Sequence, residues 1–322
     1  MSSVLARLSL AAPQAYLPQF VREAIAARPL ENTPSMAGKT CVITGATSGI
    51  GRAAAEALAA MGARIVMVAR DAQRGEAMLA HLRDHFPRGA HSIHYADLLN
   101  LADVKRVAAD IAAAEPRVDV LLNNAGAMFA SRQITPDGFE RTFALNHVAP
   151  FVLTHGLRES LFAAAPARVV NTAGCLHHLA TLHLDDLRLE HRYDAFYAYA
   201  HAKLCCVLFT RELARRWAGR QVTANSVHPG EVATSFGYQA GGLIPLAFAL
   251  IHLFGSSPQT GARRLVRLAS AREFAGTTGR YFYKEKLSRP NPLAEDDENA
   301  ERLWQATARL AEIDGLLELR RR

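Results

Sequence analysis

Residues 40–58 read Thr40-Cys41-Val42-Ile43-Thr44-Gly45-Ala46-Thr47-Ser48-Gly49-Ile50-Gly51-Arg52-Ala53-Ala54-Ala55-Glu56-Ala57-Leu58. A short apolar, β-branched run passes without a linker into a glycine-rich turn, and the turn passes directly into strong helix formers. Glycines let a backbone bend tightly and approach a pyrophosphate closely, while a helix N-terminus offers unpaired N–H groups and the positive end of its dipole. The spacing is G-x3-G-x-G rather than G-x-G-x-x-G. Its position after the first strand of an alternating chain makes it a nucleotide turn rather than an ordinary loop.

Outward from this stretch, short β-branched runs alternate with Ala/Arg/Leu-rich segments of helical period. Strands are expected at residues 40–44, 64–69, 92–96, 118–123, 168–172 and 222–227, with a late strand near 280–283 and a closing helix near 299–313. Six strands separated by helices predict an α/β fold, a doubly wound parallel sheet of Rossmann type in a single domain. Residues 1–37 carry Pro13, Pro18, Pro29 and Pro34 and read as an N-terminal extension. The domain is expected over 38–315, with a basic C-terminal tail over 316–322.

Composition narrows the partners. Lys and Arg exceed Asp and Glu by 37 to 30, but the positive residues are scattered along helical segments and their longest run is Arg320-Arg321-Arg322. No nucleic-acid motif accompanies them, so no nucleic-acid partner is expected. The apolar stretch 243–254 is interrupted by Pro245 and His252 and falls short of the roughly 20 residues of a spanning helix. No transmembrane segment and no secretory signal are expected. Cys41, Cys175, Cys205 and Cys206 have no disulfide-framework or paired-zinc spacing, which favours a reducing, cytoplasmic setting.

Two further groups of residues carry chemistry. The second strand ends at Val68-Ala69-Arg70-Asp71, about where an adenosine ribose lies in such folds. Arg70 suits a 2′-phosphate and favours NADP; Asp71 could instead bind a 2′-hydroxyl and favour NAD, or simply cap the next helix. Farther on, the four-residue spacing of Tyr199 and Lys203 sets a phenol and an ammonium on one helix face. A free tyrosine has a pKa of about 10, so a cation that favours phenolate would help it exchange protons near neutrality.

With these residues together, the chain resembles the short-chain dehydrogenase/reductase family over about residues 38–315. Thr44 to Gly51 matches the cofactor turn, so Gly45, Thr47, Ser48, Gly49, Ile50 and Gly51 are expected to bind cofactor. The resemblance adds Asp97 and Leu98 at the adenine, Asn124, Ala125 and Gly126 after the fourth strand, and Pro229, Gly230, Val232 and Thr234 around the nicotinamide. Tyr199, Lys203 and Asn146 match the catalytic set: acid/base, the cation that lowers its pKa and holds the ribose, and the relay asparagine. Within the family, Val68 to Asp71, Tyr199 to Lys203, Gly279-Arg280-Tyr281-Phe282 and Glu301-Arg302-Leu303-Trp304 are similar to the retinol dehydrogenase and WW-domain oxidoreductase branch. Homodimers through the Asn146 and Tyr199 helices are common there, so a homodimer is an expectation by resemblance.

One position departs from the pattern. Counting from His177-His178, the place of the family's catalytic serine is Gly174, which has no side chain to donate. Thr172 lies two residues back, nearly 7 Å along a strand, and Cys175 is a weak donor that points elsewhere in a regular strand. His177, His178, His183 and His191 fit no standard zinc spacing, and no metal is expected. Cys205 and Cys206 read as buried helix residues. The stretch 243–254 reads as an apolar substrate wall.

These features imply an NADP(H)-dependent oxidoreductase. It would move hydride between the nicotinamide and an alcohol or carbonyl, or another polarised double bond, of a fairly apolar small molecule. The alternative is a nucleotide-binding scaffold or sensor with little turnover, for which Gly174 is the best argument.

Overall fold

The computed structural model describes residues 34–191, 193–232 and 255–313. In chain order these form β1 (Thr40–Thr44), α1 (Gly49–Ala60), β2 (Arg64–Ala69), α2 (Ala72–His85), β3 (Ser92–Tyr95), α3 (Leu101–Ala114) and β4 (Val120–Asn123). There follow a helical run α4 (141–156), α5 (Arg158–Ala164), β5 (Ala167–Thr172), α6 (Ala195–Arg216) and β6 (Val222–His228). The chain ends with α7 (Pro258–Ser270), β7 (Arg280–Tyr283), β8 (Lys286–Ser288) and α8 (Asp297–Leu310). One sheet holds the strands in the order β3-β2-β1-β4-β5-β6-β7-β8. All pairs are parallel except β7 with β8.

The doubly wound α/β fold expected from the alternation is therefore present. Side chains alternate across each strand, so one sheet feeds two cores. Val42, Val66 and Leu121 face α3, α4, α6 and α8, while Cys41, Ile43, Ile65, Met67 and Leu122 face α1, α2 and α7. Short polar residues start the helices: Asp71, Asn100, Asp194, Ser257 and Asp296 each accept a backbone N–H of the first turn.

The strand order reverses between β1 and β4, and this switch point is where an open α/β sheet forms its crevice. The register Ile43↔Leu122, Asn123↔Asn171 and Thr172↔Val227 brings the C-terminal ends of β1, β4, β5 and β6 to one rim. The residues that follow those strands line the candidate site.

Two features were not anticipated. The antiparallel β8 is three residues long and mostly exposed, too brief for any period to register. The second is where α8 docks. Trp304 is 4% exposed and packs edge-on against Phe151 of α4 at 4.8 Å and beside Phe209 of α6 at 5.9 Å. His147 of α4 bonds Thr307 at 2.8 Å. The chain's own last helix thus packs on α4 and α6, the two helices through which a homodimer was expected.

Among the described residues no helix is long and apolar enough to cross a membrane. The expected apolar wall at 243–254 and the terminal segments 1–33 and 316–322 lie outside the described residues.

Trp304→Ala should cost about 3–5 kcal/mol of unfolding free energy, because it removes the side chain that joins α8 to both helices. Urea denaturation followed by circular dichroism measures this, and a loss below about 1 kcal/mol would mean that α8 is not held by this contact.

Candidate active site

At the end of β1 the chain turns with Gly45 at φ +69° and Gly49 at φ +54°, a region glycine enters without strain. Gly51 allows a close approach: a Cβ there would stand 2.1 Å from the Gly45 carbonyl oxygen. Thr44 Oγ1 accepts the N–H groups of Asn124 and Ala125, both at 3.0 Å, and Asn124 Nδ2 donates to Thr44 O at 3.2 Å. These bonds tie the end of β4 to the turn. Ser48 starts α1 with an exposed side chain that makes no capping bond, and the first-turn N–H groups have no intrahelical partners. This cradle of small residues at a helix N-terminus fits a pyrophosphate. Thr47 sits half-buried in the same turn, and Ile50 packs on the core behind it.

At the next strand ends, Arg70 is exposed, while Asp71 Oδ1 accepts the Arg74 N–H at 2.9 Å as the cap of α2. Of the open readings of Asp71, the capping role is the one its geometry displays. Asp97 is half-buried and its Oδ1 accepts the Leu99 N–H at 3.1 Å; Leu98 packs against the core.

Asn146 lies in a π-helical turn, Ala144–Val148, inside α4. Such turns insert one extra residue and re-aim side chains. Asn146 Nδ2 donates to Ala127 O and Thr142 O, both at 2.8 Å, and Oδ1 is buried without a partner among the described residues. A Cβ on Gly126 would stand 2.7 Å from that oxygen and 3.5 Å from Lys203 Nζ, so the asparagine oxygen and the ammonium meet over this glycine. Lys203 Nζ donates to Thr172 O at 2.7 Å and lies 5.5 Å from the Tyr199 ring centre. A Cβ on Gly174 would come within 3.3 Å of the Tyr199 hydroxyl and 3.5 Å of Lys203 Cγ. The structure therefore brings Asn146, Tyr199, Lys203 and Gly174 together. Thr172 contributes its carbonyl to Lys203, and its buried hydroxyl has no partner among the described residues.

The electrostatics differ from expectation. Burial pushes the Tyr199 phenol well above its ordinary pKa, with Cys175 and Cys206 adding to the rise. Burial likewise pulls the Lys203 ammonium below its ordinary value, against a smaller opposing effect of Cys206. The lysine was expected to hold the phenol down, but Lys203 Nζ donates to Thr172 O, and desolvation dominates at the phenol.

After β6, Gly230 adopts φ +91°, and the buried Arg264 of α7 donates to Pro229 O. A Cβ on Gly230 would stand 2.4 Å from Arg264 Nη1. Gly261 of α7 lets Val232 and Ile50 approach: its Cβ would lie 2.9 Å from one side chain and 3.1 Å from the other. The loop after β6 and the start of α1 thus share one support. Thr234 lies outside the described residues. Arg264 was not foreseen, since no local pattern marks an arginine of an amphipathic helix as buried.

Of the four histidines after β5, His177 and His178 lie ring to ring at 4.1 Å and the other two stand apart. His177 Nδ1 bonds Gly174 O at 2.6 Å, and burial pushes its pKa down to about 4. His183 bonds Thr181, and His191 pairs with Asp186. Among the described residues the donor atoms that converge are those of Cys175, His228 and Glu231, mutually within 4.8 Å. His228 Nε2 lies 3.3 Å from Glu231 Oε1. That hydrogen bond holds the Glu231 carboxyl down at about 2. Burial opposes the charged form of His228, yet its contacts with Cys175 and Glu231 win and raise its pKa. Cys205 and Cys206 are buried in α6.

Comparison with known proteins follows this geometry. Residues 39–185 match the family model described as short chain dehydrogenase. The chain is 38% identical over 287 residues to retinol dehydrogenase 13 of Homo sapiens, covering 86% of each chain. It is 37% identical over 276 residues to retinol dehydrogenase 12 of Homo sapiens, covering 86% of this chain and 87% of the other. Among solved structures it is similar to a short chain dehydrogenase from Burkholderia cenocepacia in complex with NADP. That match has a TM-score of 0.62 and 25% identity, and covers 77% of this chain and 97% of the other.

Gly51→Ala should lower stability by about 1–3 kcal/mol, because the methyl group meets backbone that cannot move aside as a flexible side chain would. A thermal melt reads the loss, and an unchanged midpoint would show that the turn is looser than the contact distances imply.

Proposed function

The chain belongs to the short-chain dehydrogenase family, on its retinol dehydrogenase-like branch, and from that premise we propose that it is an NADP(H)-dependent oxidoreductase acting on an alcohol or carbonyl of a fairly apolar small molecule. The observation that carries this reading is the convergence of Tyr199, Lys203 and Asn146 beside Gly126, on the rim that the glycine turn also occupies. When bound, the nicotinamide cofactor supplies or accepts the hydride. The glycine turn would hold its pyrophosphate, Asp97, Leu98, Asn124 and Ala125 would line the adenosine side, and Pro229, Gly230, Val232 and Thr234 the nicotinamide side.

Tyr199 is the proposed proton donor. A half-buried phenol whose pKa is raised by desolvation stays protonated at neutral pH, which is the state that carbonyl reduction requires. Lys203 binds the ribose and supports the phenolate left behind, and the unsatisfied Asn146 Oδ1 anchors a relay water. Residues 38–315 form the one catalytic domain, and its four free cysteines suit a reducing cytoplasm. The Burkholderia relative's NADP supports the cofactor reading, as does exposed Arg70 beside an Asp71 engaged in capping.

Gly174 favours a second reading, a nucleotide-binding sensor with little turnover. Without a hydroxyl there, the developing alkoxide lacks one preorganised donor, which costs on the order of 2.7–4 kcal/mol in comparable sites. NADPH oxidation against a panel of apolar aldehydes and ketones separates the two readings: steady turnover supports the reductase, and tight NADPH binding without turnover supports the sensor.

Tyr199→Phe should abolish carbonyl reduction and leave NADPH binding, read by fluorescence titration, nearly intact. In the unmodified protein, reduction should stay level through neutral and mildly alkaline pH, because the phenol remains protonated. Alcohol oxidation should climb with pH as the phenolate fraction grows. Full turnover in the phenylalanine variant, or reduction that falls through neutrality, would remove Tyr199 from the role.

Arg70→Ala should weaken NADPH selectively over NADH. A charge-assisted contact to the 2′-phosphate is worth about 1.5–3 kcal/mol, so the preference should fall about tenfold or more. Equal affinities for the two cofactors in the unmodified protein would sink the assignment.

A further inference from the structure

The parallel pairing of β5 with β6, with Thr172 opposite Val227, delivers the next residues of both strands to the same rim. Cys175 emerges from one strand and His228 ends the other. Gly230 then reverses the chain at φ +91°, so Glu231 folds back onto His228. This return is pinned: Ser256 donates its N–H to Glu231 O at 2.7 Å, Val232 bridges to Ser256, and Arg264 holds Pro229 O. We propose that Cys175, His228 and Glu231 form a binding site for a divalent transition metal of the zinc class, with three protein ligands and a fourth position open.

The distances suit such an ion. Zinc bonds of about 2.0–2.3 Å in a tetrahedron put neighbouring donors roughly 3.3–3.8 Å apart. Here His228 Nε2 is 3.3 Å and Cys175 Sγ is 4.0 Å from Glu231 Oε1, with all three donors within 4.8 Å of one another. Cys175 Sγ donates to the same Glu231 oxygen that His228 meets, so the three groups already share protons at one point, and a metal ion would take the place of those protons. His228 is also 6% exposed, and it is Nε2 that the fold turns toward Glu231, which fixes the ring nitrogen offered to the cluster.

The donor set is selective. One thiolate, one imidazole and one carboxylate suit zinc rather than magnesium or calcium, which take oxygen ligands. Three protein ligands with an open position is the pattern of zinc sites that admit water or substrate. Lys284 Nζ lies 3.7 Å from the other oxygen, Oε2, and leaves Oε1 turned to the cluster; its charge lowers the affinity below that of a closed structural site. The ion would sit one residue along the chain from Gly174, the glycine that faces Tyr199.

The test uses the full chain, free of any affinity tag and stripped with a chelator, then titrated with zinc by calorimetry and with cobalt(II) by absorption spectroscopy. One equivalent of zinc should bind, and cobalt should show a thiolate charge-transfer band. Cys175→Ser should abolish the band and weaken zinc roughly tenfold or more, whereas Glu231→Gln should weaken zinc but keep the band. In the unmodified protein zinc should protect Cys175, the one cysteine of the four that is not buried, from alkylation read by mass spectrometry. This last measurement needs no variant and no turnover. Absence of zinc binding, equal binding by all three proteins, or alkylation of Cys175 unaffected by zinc would each overturn the site.

Discussion

The buried hydroxyl of Thr44 accepts two backbone N–H groups from the chain leaving β4, and the rest of the site depends on that junction. It locks the glycine turn after β1 against Asn124 and Ala125 at the switch point of the sheet. Gly126 follows at once, and over it stand the Asn146 oxygen and the Lys203 ammonium. A backbone-to-side-chain bond at the C-terminal rim of two central strands is costly to leave unmade, so the turn and the groups over Gly126 are held by one set of constraints.

Burial is the second theme. Lys203 is buried and Tyr199 half-buried, and this partial exclusion of water drives both toward their neutral forms. A protonated phenol beside a lysine is the state that the proposed proton donor needs. The same exclusion of water strengthens the field that the ammonium exerts once charge develops on the phenol. At Cys175, His228 and Glu231, by contrast, opposite charges lie in contact, and those contacts outweigh burial and shift His228 and Glu231 the other way.

The resemblance to a dehydrogenase and the local geometry agree because both rest on short-range chemistry. Gly45, Gly49 and Gly51 announce a turn whose φ values and close contacts only glycine tolerates, and Tyr199 with Lys203 announces one face of one helix. Such signals sit within a few residues of each other. The π-helical turn at Asn146, by contrast, has no sequence period of its own, and β8 is too short to have one. Trp304 could be read as part of a branch motif, yet nothing in its neighbourhood says that it bridges Phe151 and Phe209.

By itself the sequence determined the alternating strands and helices, the parallel sheet, the glycine turn after β1 and the one-face spacing of Tyr199 and Lys203, since each follows from local period or local backbone freedom. Only the tertiary structure decided what surrounds them. It placed Arg264 under the loop after β6, cast Asp71 as a helix cap, raised the phenol pKa that a nearby lysine was expected to lower, and gathered Cys175, His228 and Glu231. The physical reason is separation along the chain: burial and contact between residues dozens of positions apart are properties of the closed sheet, and no pattern within a single segment encodes them.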